Sequence, residues 1–312
     1  MDNRINYLDY LKAFAIITVV IYHQGLMTEP VMQAFVDVQM PIFFLVSGFL
    51  TYRAENYNPL HITKKRAKQL LLPLLFCGIG LACLRDVDYL TYLTSQGKKG
   101  YWFLLTLFEV SLIYNLSVFI RNRLNNEWRW TIDIAIICLL MGLRFFMPDF
   151  LIETLELRQL SKFYPIFIFG VYLKEYPFII RYMKKWNFIF IPLLAYNIIV
   201  TVPHNNLLLI YIIQVTQGII GALFAWYIFM IYEEKMPLKR VWSYIGRHSL
   251  EIYLVHFFFL FPAKEIFVTS YFAVNIVLSV LYSGSVIFAT LLICKLISSI
   301  RLLNILILGG GK

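Results

Sequence analysis

Long apolar runs alternate with short charged connectors along the whole chain. Most runs are close to the roughly 20 residues that an α-helix needs to cross the hydrocarbon core of a bilayer. The runs cover residues 7–25, 36–52, 69–84, 101–120, 130–147, 160–173, 187–202, 206–232, 248–262 and 271–294. Backbone polar groups must be paired within lipid, and runs of this length indicate helices. The pattern therefore predicts an all-α, polytopic membrane helical bundle of about ten transmembrane helices.

The amino-acid composition supports a membrane protein and argues against nucleic acid as a partner. Hydrophobic residues make up 60% of the 312 residues and charged residues only 15%, which is too apolar a balance for one soluble core. The formal net charge of +10 is ascribed to loops that face anionic lipid, not to nucleic acid. No connector is long enough for a soluble domain, so residues 1–312 are predicted to form a single integral-membrane domain.

Lysine and arginine are distributed unevenly among the connectors. When the connectors are assigned alternately to two sides, most of the 28 lysines and arginines fall on the side that holds the N-terminus. The positive-inside rule places that side in the cytoplasm. Both termini are therefore predicted to be cytoplasmic.

The cysteines and histidines show no spacing that is typical of a metal site. Cys77, Cys83, Cys138 and Cys294 all fall inside apolar runs and are predicted to be buried free thiols. The sequence has no paired Cys or His residues at ligand spacing, so no metal site is predicted.

The first apolar run contains three polar residues that lipid makes costly: Asp9, Lys12 and His23. Such residues inside a span mark a functional site by default. On a helix, the side chains of Lys12 and His23 project in directions that differ by only about 20° around the axis. They lie roughly 16 Å apart along it. Asp9 lies one turn before Lys12 and can pair with it. The alternative is that Asp9 and Lys12 snorkel to the interface while His23 caps the span.

Two later runs contain further candidates. Ser249 and His256 in the ninth run are seven residues apart and share a helix face with Tyr253 beside it. A core histidine that only hydrogen-bonds a neighbouring helix is an equally good interpretation of His256. In the fourth run Trp102 and Glu109 are also seven residues apart, and Glu109 is a candidate for contact with a substrate hydroxyl.

Five stretches of the chain fit one known pattern in order and spacing: Tyr7–Ala13 running on to His23, Met40–Phe49, Arg66–Pro73, Tyr101–Leu104 and Ile252–His256. Together they resemble the acyltransferase-3 family over nearly the whole chain. These are multi-span acyltransferases that acetylate or succinylate bacterial surface polysaccharides, O-antigens and related glycans.

The resemblance assigns roles to particular positions. The family's basic residue, ten-residue spacer and histidine fall on Lys12 and His23. The usual arginine is a lysine here, which keeps the charge but lacks the planar fork that grips a phosphate from two sides. The family's Ser-Gly motif falls on Ser47 and Gly48, to which we assign a structural role in close helix approach.

The resemblance also implies a reaction. An acetyl or similar acyl group would move from cytoplasmic acyl-CoA, a co-substrate and not a bound cofactor, to a hydroxyl of a surface polysaccharide or lipid-linked sugar. The implied location is the inner (cytoplasmic) membrane, with several spans. Histidine suits the base that takes the acceptor proton near neutral pH, so His23 is the predicted catalytic residue, together with Asp9. A nucleophilic role of His23 stays open.

Contacts to the two substrates complete the prediction. Four basic residues are predicted to bind the donor phosphates and four other residues to contact the acceptor. The donor set is Lys12, Lys65, Arg66 and Lys68, and the acceptor set is Trp102, Glu109, Tyr253 and His256. A transporter or flippase of lipid-linked sugars is the alternative, because polar stripes along spans also line transport paths. The sequence leaves open acetyl against succinyl and the oligomeric state, including a homo-oligomer.

Overall fold

The computed structural model describes residues 5–25, 29–51, 58–121, 129–185, 206–260 and 271–310. Every regular element within these ranges is helical, which confirms the all-α class for this part of the chain. The α-helices are α1 Asn6–Gln24, α2 Glu29–Thr51, α3 Pro59–Leu84, α4 Tyr89–Thr94, α5 Trp102–Arg121, α6 Arg129–Phe146, α7 Asp149–Thr154, α8 Leu157–Glu175, α9 Pro177–Lys185, α10 Leu207–Ile231, α11 Lys239–Arg247, α12 Ser249–Val255, α13 Phe272–Ser299 and α14 Arg301–Leu308. Short 3-10 turns cover Gln96–Gly100, Glu233–Lys235 and His256–Phe258.

Four of the described helices are long and apolar enough to cross a membrane: α3, α5, α10 and the Ala273–Ser299 part of α13. α8 and α9 make a fifth candidate, a pair bent by 90° at a short break. α1 is not among them, because the polar residues that mark it as a candidate site lower its mean hydropathy. The predicted span over 187–202 lies outside the described residues.

Large apolar side chains are exposed on the long helices. On α13, Leu281 is 66% exposed and Phe288 is 65% exposed. Water would penalise such a surface, whereas the hydrocarbon core of a bilayer solvates it. α13 therefore has the surface expected of a helix that faces lipid.

The chain divides into two compact units that interleave along the sequence. The first unit comprises Met1–Leu50 and Phe169–Lys295, and the second comprises Thr51–Ile168 and Leu296–Lys312. We refer to them as unit 1 and unit 2. The predicted site residues fall into both units, so each group is described within its own unit.

α1 is the central helix of unit 1. Leu11 and Ile16 have no exposed surface, and Phe14 packs against Phe229 of α10 with ring centroids 5.6 Å apart. α11 comes closer still, since a Cβ added to Gly246 would lie 1.9 Å from the carbonyl oxygen of Asp9. Only glycine allows two helix backbones to meet at this distance.

A second close approach in unit 1 joins α2 to the end of α8. A Cβ added to Gly170 would lie 2.1 Å from the carbonyl oxygen of Leu45. This turn of α2 leads directly into Ser47 and Gly48, where the sequence favoured close helix approach. The glycine that permits this contact is Gly170 on the partner helix, and the role of Ser47 and Gly48 stays a prediction.

Unit 2 is built on the pairing of α3 with α5. Asn115 of α5 donates a hydrogen bond of 2.7 Å from Nδ2 to the hydroxyl of Thr63 on α3. At the end of α5, Arg121 forms an ion pair of 3.6 Å with Asp133 of α6, and both side chains are buried. α14 packs along α3. These contacts fix the helices that hold the second group of predicted site residues.

All four cysteines are free, as predicted. Cys77 and Cys294 are buried, but Cys83 and Cys138 are exposed, so the predicted burial was wrong for these two. A long apolar run indicates only that the helix is apolar on all sides. It does not tell which positions face neighbouring helices and which face lipid.

Candidate active site

The N-terminal part of α1 holds the predicted pair of Asp9 and Lys12. The ammonium of Lys12 lies 2.9 Å from Oδ1 of Asp9, one helical turn away, which confirms the pairing. The Asp9 side chain is 6% exposed and that of Lys12 is 20% exposed. The pair therefore compensates a carboxylate that would be costly alone at this burial, and it leaves part of the lysine accessible.

His23 lies at the other end of the same helix, so Lys12 and His23 are joined by uninterrupted α-helix as predicted. Gly25 ends the helix in a left-handed conformation, with φ 67°, and donates its N–H to Tyr22. Gln24 is buried and hydrogen-bonds the hydroxyl of Ser283 on α13. The glycine cap and the glutamine bond together fix the turn that carries His23.

The imidazole of His23 packs against the 3-10 turn that follows α12. Its ring centroid lies 5.6 Å from that of His256 and 4.8 Å from that of Phe257. His23 is exposed, whereas His256 has no exposed surface. Two imidazoles from distant parts of the sequence therefore meet within unit 1, one accessible and one buried.

The hydrogen bonds of His256 define its tautomer. Nδ1 lies 3.0 Å from the carbonyl oxygen of Ile252 and 2.8 Å from that of Tyr253. A carbonyl oxygen only accepts, so Nδ1 carries the hydrogen, and in a neutral ring Nε2 is then the acceptor. Nε2 is buried and has no hydrogen-bond partner among the described residues. His256 therefore presents a fixed lone pair next to His23.

The ninth apolar run is not one helix, so the prediction that Ser249 and His256 share a helix face was wrong. α11 ends at Arg247, α12 runs from Ser249 to Val255, and His256 opens a 3-10 turn. Ser249 and His256 are both buried, but they belong to different elements. Tyr253 is 3% exposed, and its ring centroid lies 5.9 Å from that of His256. Residues 261–262 of the run lie outside the described residues.

Trp102 and Glu109 belong to unit 2, on α5. Trp102 opens the helix and stacks on Phe163 of α8, with ring centroids 5.5 Å apart and planes at 22°. Glu109 lies two turns further on, on the same side of the helix. Its Oε2 is buried and has no hydrogen-bond partner among the residues that the structure describes. The structure thus leaves this carboxylate able to accept a hydrogen bond.

The basic cluster of unit 2 lies in the first turns of α3. Asn58 caps this helix by accepting the N–H of His61 at 3.1 Å, and Pro59 starts it. Lys65 and Lys68 are exposed, as expected of residues that would meet an anion. Arg66 is partly buried and donates from Nη2 to the hydroxyl of Thr51 at 3.2 Å.

Two charged residues near Glu109 were missed by sequence reasoning. Lys98 lies in the 3-10 turn Gln96–Gly100, yet it is only 1% exposed. It forms an ion pair of 3.6 Å with Glu156, which is also 1% exposed. Both lie in short connectors, where charged residues are usually solvated. Nothing in one sequence distinguishes these two from their exposed neighbours.

Within the described ranges, no group of three His, Cys, Asp or Glu side chains is placed to hold a metal ion. The polar groups that converge are instead an imidazole pair in unit 1 and a carboxylate–ammonium cluster in unit 2. Imidazoles and carboxylates are the side chains that most often move protons in enzymes.

Apolar helices able to span a membrane, together with an imidazole pair held by packed helices, define a polytopic membrane protein with a candidate site for proton transfer. The chain belongs to the acyltransferase-3 family, since the family model described as "Acyltransferase domain" matches residues 5–299. No curated protein and no solved structure matches the chain. The protein is therefore a membrane acyltransferase, and the sequence resemblance to this family is confirmed.

Proposed function

We propose that the protein transfers an acetyl or similar small acyl group from cytoplasmic acyl-CoA to a hydroxyl of a surface polysaccharide or lipid-linked sugar. The acyl transfer itself is supported by family membership, because the family model matches residues 5–299. The pair of His23 and His256, with ring centroids 5.6 Å apart, supports a site for the proton that the acceptor must lose. An alcohol attacks a thioester well only when a base takes its proton, so this pair is the centre of the proposal.

His23 acts as the base in this proposal. It takes the hydroxyl proton while the acceptor oxygen forms a bond to the thioester carbonyl carbon. The carbon–sulfur bond then breaks, and the imidazolium returns the proton to the leaving sulfur of CoA. The exposure of His23 supports this role, because a substrate can reach its ring. Histidine is also the side chain that exchanges a proton most readily near neutral pH.

His256 orients the acceptor in this proposal. Its Nδ1–H is used on two main-chain carbonyl oxygens, which leaves the Nε2 lone pair for the hydroxyl of the sugar. A positive charge on a fully buried ring is disfavoured, so His256 serves as a neutral acceptor and leaves the proton to His23. Tyr253, packed beside His256, belongs to the same acceptor contact.

The donor contacts are basic residues that can attract the phosphates of acyl-CoA. In unit 2, Lys65, Arg66 and Lys68 are assigned to this role, and in unit 1 it falls to Lys12. A lysine binds phosphate as a point charge. Asp9 contributes as a positioning residue, because its carboxylate holds the Lys12 ammonium at 2.9 Å and lies about 21 Å along α1 from His23.

The finer topology is part of the same proposal. It consists of ten spans, with both termini in the cytoplasm and the protein in the inner (cytoplasmic) membrane. The uneven distribution of lysine and arginine supports this orientation. It gives the start of α1, with Lys12, access to a donor that is made in the cytoplasm.

Acyl labelling tests the proposed function. Membranes that contain the protein receive acetyl-CoA labelled in the acetyl group, together with surface polysaccharide from a strain that lacks the protein. We expect release of free CoA and label on the polysaccharide, with succinyl-CoA as the parallel donor. Membranes without the protein give the background rate. A flippase would move lipid-linked sugar and give neither product, so their absence with both donors would contradict the proposal.

Lys12→Arg tests the donor contact at the start of α1. If Lys12 binds a donor phosphate, we expect the arginine variant to keep or improve kcat/KM for acyl-CoA, because arginine keeps the charge and adds the planar fork. Lys12→Gln is expected to raise KM for acyl-CoA about tenfold, the loss of one charge-assisted hydrogen bond. Rates of CoA release at several donor concentrations measure both.

A large loss in Lys12→Arg would show that the ion pair with Asp9 matters and the phosphate does not. Asp9→Asn is the matched variant, since it removes the partner and leaves Lys12 in place. If Asp9 only positions Lys12, Asp9→Asn raises the donor KM with a smaller effect on kcat.

A further inference from the structure

Unit 2 buries an ammonium group among main-chain carbonyl oxygens and a carboxylate. Lys98 lies in the 3-10 turn Gln96–Gly100 and is 1% exposed. Its Nζ donates to the carbonyl oxygens of Ser95 at 3.0 Å and Glu153 at 2.8 Å. The third partner is the carboxylate of Glu156, 3.6 Å away. Two of the three ammonium donors are therefore used on main-chain oxygens, and the Glu156 carboxylate supplies the opposite charge.

Among the described residues, Glu156 has one carboxylate oxygen that accepts hydrogen bonds and one that does not. Its Oε1 faces Lys98 and accepts the main-chain N–H of Gly97 at 2.5 Å. Its Oε2 is buried and has no hydrogen-bond partner in the described part of the chain. Glu156 is 1% exposed, and a carboxylate oxygen left without a donor at such burial is costly.

Glu109 adds a second acceptor of the same kind. Its Oε2 is also buried without a hydrogen-bond partner within the described ranges, and it lies near enough to Lys98 to act on that lysine electrostatically. Burial lowers the pKa of Lys98, against the opposing effects of Glu156 and Glu109. Burial likewise raises the pKa of Glu156, against the opposing effect of Lys98. Two carboxyl groups therefore lie within electrostatic range of one ammonium, and each has an oxygen without a hydrogen-bond partner among the residues described.

An aromatic side chain flanks this cluster. Trp102 lies two turns before Glu109 on the same side of α5, about 10 Å away along the helix. Trp102 is only partly buried. One face of its ring stacks on Phe163, with the ring centroids 5.5 Å apart. A rigid aromatic face beside hydrogen-bond acceptors offers both an apolar and a polar contact to one ligand.

We infer that Glu109 and Glu156 form a subsite for the glycan, in which their free carboxylate oxygens accept hydrogen bonds from sugar hydroxyls and Trp102 packs against the sugar ring. This inference rests on the proposed function and adds Glu156, with Lys98 as its positioning residue, to the acceptor contacts. Lys98 acts through Glu156, because its ammonium holds the carboxylate with Oε1 inward.

The chemistry of the cluster selects the ligand. The unpartnered atoms of the cluster are oxygens that accept hydrogen bonds, and an ionised phosphate offers only acceptors as well, so the subsite does not suit acyl-CoA. It needs a ligand that supplies donors and carries no negative charge at the contact. A sugar with adjacent hydroxyl groups supplies several donors on one ring, and its carbon–hydrogen faces provide the apolar contact for Trp102.

A binding measurement without acyl donor tests the subsite. The probe is a set of fluorescently tagged oligosaccharides, cut from the surface polysaccharide of a strain that lacks the protein. Their affinity for the full-length protein in detergent is measured by equilibrium dialysis. We expect Glu156→Gln and Glu109→Gln each to weaken binding about tenfold, since the amide keeps only one acceptor oxygen and replaces the other by an NH2 group. Asp149→Asn is the control, a carboxylate of the same unit that is 86% exposed, and should stay within about twofold of wild type.

Thermal unfolding of the same proteins separates binding from structure. If Glu156 serves only the fold, Glu156→Gln lowers Tm and leaves the oligosaccharide affinity unchanged, which overturns the inference. Equal affinity in wild type, Glu109→Gln and Glu156→Gln overturns it as well, even where acyl labelling succeeds. The reverse result, weakened binding in both variants together with absent CoA release in wild type, keeps the subsite and rejects the acyl transfer.

Discussion

His23→Ala protein is expected to accumulate in membranes like the wild type and to transfer acyl groups at least about a hundredfold more slowly, the usual contribution of a general base. The imidazole is exposed, so its removal opens no large cavity in the packing of α1. Binding of acyl-CoA should be unchanged, because the substitution leaves the basic residues proposed to bind the donor phosphates in place. Label on the polysaccharide in intact cells, set against protein in the membrane fraction, measures the effect.

His256→Gln provides the comparison for this result. A glutamine oxygen can still accept a hydrogen bond from the sugar, so this variant should keep part of kcat and show a raised KM for the glycan. If instead His23→Ala retained wild-type labelling while His256→Gln lost it, the base would be His256 and the assignment of roles would be reversed. Wild-type labelling in both variants would remove the imidazole pair from the mechanism.

Gly246→Ala is expected to destabilise the protein strongly. The added methyl group would lie 1.9 Å from the carbonyl oxygen of Asp9 and 2.6 Å from its carbonyl carbon, both main-chain atoms of the central helix. A main-chain carbonyl cannot rotate away like a side chain, so α11 has to move away from α1. Overpacking of this kind costs about 1 to 3 kcal/mol or more. We expect a lower Tm in detergent and less protein in the membrane.

Gly284→Ala is the matched control for this prediction. Gly284 lies in α13, and a Cβ added there has no heavy atom within 4 Å. Alanine has a higher helix propensity than glycine, so this variant should be as stable as wild type or slightly more stable. Equal losses of stability in both variants would contradict the close contact between α11 and α1.

Helical class and most element positions follow from the apolar runs alone. Nearly all of the predicted runs within the described ranges lie mainly on one helix, because long apolar stretches leave the backbone few ways to pair its polar groups. The ninth run is the exception, since it breaks at His248 and again at His256. Short helices and 3-10 turns depend on local packing, and an apolar run gives no signal for them.

Within one helix, periodicity was sufficient to predict part of the candidate site. It placed Asp9 with Lys12, and the structure confirms that contact. The meeting of His23 with His256 depends on how helices far apart in sequence pack, which periodicity does not contain. The same limit explains why the burial of Lys98 could not be predicted, since it comes from contact with the connector that carries Glu156.

The low apolarity of α1 has a consequence for how the protein is made. α1 has a charged pair near one end and a histidine at the other, yet α10 and α11 cover its apolar positions. A helix of this kind gains little from entering lipid by itself, because its polar residues offset much of the apolar gain. In the proposed topology, where α1 spans the membrane, its stable insertion therefore has to wait for α10 and α11, whose sequence follows some two hundred residues later.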